Sequence, residues 1–82
     1  GDLTAVQQLV AMGIDLNGGD YDGRTPLHLA ASEGHDKVVR YFITRGVNVN
    51  PRDRWGGTPL ADAMRQHHDK VVSMLKHAGG TT

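Results

Sequence analysis

The chain has no cysteine, one tryptophan, one phenylalanine and two tyrosines. It also has no surplus of either charge, with nine Lys and Arg against nine Asp and Glu in 82 residues. Each shortage removes a class of protein. Without cysteine there is no disulfide framework and no thiolate zinc site, two devices by which short chains make up for a small core. A chain of this size buries only roughly 60% of the surface its unfolded form exposes. Its stability must therefore come from regular packing between neighbouring elements. Without a basic excess, the phosphate-neutralising stripe of a DNA or RNA binder is missing, so no nucleic-acid partner is expected. Anionic membranes are excluded on the same ground. No apolar run approaches the ~20 residues of a membrane span, and no charged start followed by an apolar stretch reads as a secretory leader. A chain that opens on Gly1 rather than Met is read as an excised piece, with any targeting segment outside it.

What is present is a period. Shifted by 33 residues, Asp20–Gly46 falls on Asp53–Gly79, and 12 of the 27 pairs are identical. They include Thr25-Pro26-Leu27 on Thr58-Pro59-Leu60 and His35-Asp36-Lys37-Val38-Val39 on His68-Asp69-Lys70-Val71-Val72. Shifted the other way, Gly13, Asn17 and Asp20 fall on Gly46, Asn50 and Asp53. Self-similarity at such an interval is the mark of a solenoid. The reading is an all-α array of helix-turn-helix pairs with protruding hairpin-like fingers. Residues 1–19 hold the second helix and finger of a partial unit, 20–52 a full unit, and 53–82 a C-terminal capping unit.

Each unit follows from local chemistry. Thr25 suits a helix N-cap, its hydroxyl accepting from an amide one turn on, and Pro26 suits the first helical position because its missing N–H is not needed there. Thr58 and Pro59 repeat the device. Leu27, Ala30 and Ala31 make a narrow apolar stripe that lets another helix approach closely, and Gly34 ends the helix. Asp36 favours the start of a second helix, whose Val38, Val39, Phe42 and Ile43 recur at helical spacing. Gly46 supplies the left-handed stop. Val47–Asn50 then run outward, and Asp53–Gly57 turn the chain back.

In the third unit Ala61, Asp62, Met64, His67 and Lys76 replace His28, Leu29, Ala31, Gly34 and Ile43. These are expected to be outward positions of a last unit, which needs a polar face because nothing covers it. At the other end, Leu3, Val6, Leu9 and Val10 form the stripe of a second helix without its partner. That end is expected to be the least stable, and its bare helix open to self-association.

The string Asp-x-x-Gly-x-Thr-Pro-Leu-His-x-Ala-Ala-x-x-Gly-His at 20–35 resembles the consensus of the ankyrin-repeat family, and the resemblance covers the whole chain. It implies a protein-interaction module whose contacts come from the finger tips and the exposed side of each first helix. Gly1-Asp2-Leu3-Thr4-Ala5-Val6, Asp20-Tyr21-Asp22-Gly23-Arg24-Thr25, Glu33-Gly34-His35, Asp53-Arg54-Trp55 and Asp62-Ala63 further resemble the C-terminal ankyrin segment of kidney- and liver-type glutaminases. In those enzymes an amidohydrolase domain precedes this segment, and none of its machinery maps here. The spacing Val49-Asn50-Pro51-Arg52-Asp53 departs from that pattern. Plant ankyrin-kinases carry a similar Asp-Arg-Trp finger, so a kinase segment or a free-standing scaffold is the alternative. A glutaminase parent implies mitochondria; otherwise the resemblance implies an intracellular, cytoplasmic protein.

The candidate partner-binding residues are Tyr21, Asp22, Arg24, Arg54 and Trp55 on the fingers, with Ser32, Glu33, Arg65 and Gln66 on the first helices. The partners are proteins or other domains of the parent chain. Trp, Tyr and Arg are the side chains that anchor interfaces. Trp55 is expected either to anchor a partner or to pack on the neighbouring finger, and the two roles are compatible. His28 is expected to bond to the turn around Thr25.

The five histidines include no His-x-x-x-His pair, and His67 and His68 point about 100° apart on a helix, so no metal is expected. Neither Ser32 nor Ser73 lies in a nucleophile-elbow context. No lysine with serine or threonine follows Gly18-Gly19 as a phosphate loop requires. No cofactor and no enzyme activity are expected of these residues. Leu9 followed by Asp15-Leu16-Asn17 resembles the surroundings of hydroxylated asparagines in intracellular ankyrin repeats, which makes Asn17 a candidate for modification.

Overall fold

The computed structural model describes residues 3–12, 18–19 and 21–82, apart from the side chains of Leu9 and Val10. The readings placed on Leu9, Val10, Asp15, Leu16, Asn17 and Asp20 fall outside them. Five helices follow in order: α1 (Leu3–Ala11), α2 (Pro26–Glu33), α3 (Asp36–Thr44), α4 (Pro59–Arg65) and α5 (Asp69–His77). No strand occurs among the described residues. Second helices start at Leu3, Asp36 and Asp69 and first helices at Pro26 and Pro59, so each type recurs every 33 positions.

The caps explain why the helices start where they do. Thr25 is extended, at φ −90° and ψ 167°, and its hydroxyl accepts from the His28 amide at 3.4 Å. The His28 ring completes a capping box, since Nδ1 accepts from the Thr25 amide at 3.0 Å. Because the Gly57 carbonyl, 2.8 Å from Nε2, can only accept, the ring proton sits on Nε2. One buried imidazole thus caps its own helix and holds the next finger. Position 61 is alanine, so Thr58 has no such ring. Its hydroxyl accepts from the Ala61 amide at 3.2 Å and donates to the Thr81 carbonyl at 2.6 Å.

The stops differ between units. Gly34 takes the left-handed φ of 74°, and a Cβ there would stand 2.6 Å from the His68 ring. That ring is itself held, its Nε2 bonded to the Ser32 carbonyl at 3.0 Å. In the third unit His67 adopts φ 61° without being glycine.

The packing forms two layers. First helices stack α2 on α4, second helices stack α1 on α3 on α5, and within each unit α2 pairs with α3 and α4 with α5. The core runs between the layers through Leu27, Ala31, Val39, Leu60, Val71 and Leu75, each at most 2% exposed. Ile43 only borders it. No described buried side-chain nitrogen or oxygen lacks a hydrogen-bond partner.

Candidate functional site

The fingers are shaped by one carboxylate. Asp53 Oδ1 accepts from the backbone amides of Gly57 at 2.8 Å and Trp55 at 3.0 Å, while the Asp53 amide bonds the Gly57 carbonyl at 3.0 Å. This loop closes the tip and fixes the direction of Trp55. The Gly57 amide is the main reason the Asp53 carboxyl is held below its ordinary value; burial opposes the shift, and the Trp55 amide and Arg24 add to it.

Arg24 does not project from the finger. Its guanidinium lies 2.8 Å from Asp53 and 2.8 Å from Asp62, with 20% of its side chain exposed. Burial acts to lower its pKa, but the hydrogen bonds and charges of Asp62 and Asp53 outweigh burial and raise it. Asp62 also pairs with Arg65. Asp62 thus departs from the outward, capping position expected of it. It is fully buried, because its side of α4 faces α2 and the Arg24 that precedes that helix. Of the other replacements, Met64 is 45% exposed, His67 and Lys76 are exposed, and Ala61 is half-buried.

Tyr21 and Trp55 stand on adjacent tips, 98% and 70% exposed. What ties the tips together is Arg54. Its amide donates to the Asp22 carbonyl at 2.8 Å, its guanidinium reaches the Asp22 carboxylate at 3.2 Å, and the same guanidinium lies 5.5 Å from the Trp55 ring centroid. A cation over one indole face stiffens the ring and leaves the other face open. Along the first helices, Glu33, Arg65 and Gln66 are exposed and Ser32 is half-buried. Glu33 pairs with His35 at 2.9 Å. The arrangement is a row of tips and helix positions on a rigid frame. Among the described residues, no three His, Asp or Glu side chains converge as a metal site would require.

Reading the chain alone did not reveal the role of Asp53 and Asp62. The signals were there: Asp53 recurs from Asp20, and Asp62 stands where the equivalent residue is Leu29.

The family described as ankyrin repeats, in three copies, matches residues 1–81, and the chain belongs to that family. Ankyrin repeats are non-catalytic protein–protein interaction modules. Among its relatives, the potassium channel SKOR of Arabidopsis thaliana is 51% identical over 43 residues, covering 52% of this chain and 5% of the channel. The mitochondrial liver isoform of glutaminase from Rattus norvegicus is 44% identical over 43 residues, covering 52% of this chain and 7% of the enzyme. The 60 kDa lysophospholipase of Mus musculus is 54% identical over 39 residues, covering 48% of this chain and 7% of that protein. The chain therefore spans only a small fraction of the length of these relatives. No described helix is long and apolar enough to cross a membrane.

Proposed function

We propose that this chain is a protein-recognition segment that engages its partner through the finger tips Tyr21, Asp22, Arg54 and Trp55 and the helix positions Ser32, Glu33, Arg65 and Gln66, and that it serves a larger protein as an accessory module. The observation that carries this is Trp55. A large ring 70% exposed, with Arg54 stacked on it and its backbone clamped by Asp53, is a preorganised anchor with little ordering left to lose on binding. Arg24 contributes from behind, by holding Asp53.

Similarity to a channel, a glutaminase and a lysophospholipase supports the accessory reading, since proteins with unrelated activities share this stretch. A glutaminase is the parent we favour, on the strings quoted above and the 44% match, with mitochondria as the compartment. The 51% match to SKOR supports a potassium channel as the second reading.

The sequence flanking this stretch tests the parent: an amidohydrolase domain ahead of it supports a glutaminase, and a potassium channel there removes it. The recognition reading is tested separately, by comparing proteins retained on the immobilised chain and on Trp55→Ala and Tyr21→Ala variants. The expected result is loss of the same specific partners from both variants, with unchanged helical signal. Retention by both variants would show that the tips do not bind.

A further inference from the structure

A lysine holds the same place in two successive second helices, and only one of the two has a carboxylate opposite it. In α5, Lys70 reaches back to Asp36 at the start of α3 and pairs with it at 3.1 Å. One interval earlier Lys37 stands in the place of Lys70, and the residue in the place of Asp36 is Leu3, at the start of α1. Arg40 takes the place that Ser73 holds in α5, which sets a second cation one turn from the first. Among the described residues, no carboxylate pairs with Lys37 or Arg40. Lys37, Arg40, Tyr41 and Thr44 share the side of α3 turned away from the buried Val38, Val39 and Phe42. With Leu3 they line a groove of about 380 Å³. Half-buried Leu3 and Tyr41 form its apolar part, and exposed Lys37 and Arg40 its charged part. Because α1 packs on α3, the groove lies between two described helices.

We propose that this groove is a second recognition surface, on the second-helix layer, and that it binds an acidic segment of a partner protein with an apolar side chain set between its carboxylates. Charge complementarity names this occupant. The pair between Asp36 and Lys70 shows which group a lysine in this position takes, and a carboxylate from the partner supplies to Lys37 what Leu3 does not. Arg40 takes a second carboxylate, for which its planar guanidinium offers two parallel N–H donors. The apolar side chain between them is buried against Leu3 and the Tyr41 ring. An anionic membrane fits less well, since a lipid-binding patch takes a cluster of about 4–8 Lys and Arg and this groove has two. None of these residues belongs to the fingers or the first helices, so the inference does not depend on what those bind.

The test titrates the peptide acetyl-Glu-Glu-Phe-Glu-Glu-amide into the 82-residue chain and follows the backbone amides by NMR. Saturable shifts are expected at Leu3, Lys37, Arg40, Tyr41 and Thr44, with binding that weakens as salt is added. The analogue with glutamine at every glutamate should bind about tenfold more weakly or worse, and Lys37→Gln and Arg40→Gln should each cost about fivefold. Leu3→Asp, which gives Lys37 the internal carboxylate that Lys70 already has, should weaken binding about tenfold or more. Trp55→Ala should bind the peptide as the parent chain does, which separates this surface from the finger tips. Lys37 and Arg40 are exposed, so their variants disturb little of the fold and decide the matter even if Leu3→Asp loosens α1. The inference is overturned if the peptide gives no saturable shift, if the glutamine analogue binds equally, or if Lys37→Gln and Arg40→Gln bind as the parent does. It is also overturned if Trp55→Ala abolishes binding, or if phosphatidylserine vesicles bind through Lys37 and Arg40 where the peptide does not.

Discussion

Removing the Arg24 guanidinium tests how the second and third units are held together. In Arg24→Met the stem of the side chain survives, but two 2.8 Å charge-assisted bonds vanish, to Asp53 and to Asp62. The carboxylates are left in unequal positions. Asp53 keeps two backbone amides, whereas Asp62, with a side chain 1% exposed, keeps only the largely exposed Arg65. Breaking a buried pair costs about 3–5 kcal/mol, and the remaining partners bring the expected loss to about 3 kcal/mol, roughly that of two bonds to charged groups. A chain of 82 residues has a total stability of only about 4–12 kcal/mol. Urea unfolding followed by circular dichroism should therefore show the midpoint falling by a large fraction. Adding Asp62→Leu, which installs the residue found at position 29, should recover most of the loss, because an apolar pair of similar volume replaces ions. A loss below about 1 kcal/mol, or a double variant no more stable than Arg24→Met, would refute the assignment of Arg24 as the clamp.

Other outcomes follow from single positions. His67→Gly should stabilise the chain by up to about 1 kcal/mol, because relief of a left-handed backbone, worth about 1–2 kcal/mol, exceeds the added entropy of glycine; the urea midpoint measures it. Gly34→Ala should destabilise by about 1–2 kcal/mol from its φ of 74°, and it should shift the His68 ring resonances, since the new methyl meets that ring. Asp53 and Asp36 both have pKa values below the ordinary one, Asp53 chiefly through the Gly57 amide and Asp36 chiefly through its bond to Lys70. The stability they add is complete above the unfolded value of 3.8 and is lost as pH falls through the lower folded values. Melting midpoints should hold near neutrality and drop in acid below about pH 4, and Asp53→Asn should flatten that drop.

The parts of the fold that could be read in the sequence are those decided within a turn of the chain. Thr25-Pro26 and Thr58-Pro59 start helices by local capping, and Gly34 and Gly46 stop them by a conformation glycine holds without strain. The small Leu27-Ala30-Ala31 stripe went to the core for the same kind of reason. Asp62 was beyond that reach. Its burial depends on Arg24, 38 residues away and on the other unit's finger, a separation that repeat alignment does not pair. Arg24 itself reads as a surface finger residue until the two acids that face it are placed. Trp55 left two roles open because exposure is a property of the assembled tip, and the assembled tip puts Arg54 rather than the indole against its neighbour. Leu29 reads as one more helix residue, and its 50% exposure, against 0% for the equivalent Asp62, is a property of the assembled stack.

The central claim is that a cooperative helix stack holds the Trp55 ring outside the fold. Trp55 is the chain's single tryptophan, so one urea titration can report both parts, with helical circular dichroism for the stack and acrylamide quenching of fluorescence for the ring. The account predicts a sharp loss of helix while quenching changes little, because the indole is already open to solvent in the native state. A native indole shielded from acrylamide, and exposed in step with the loss of helix, would contradict it.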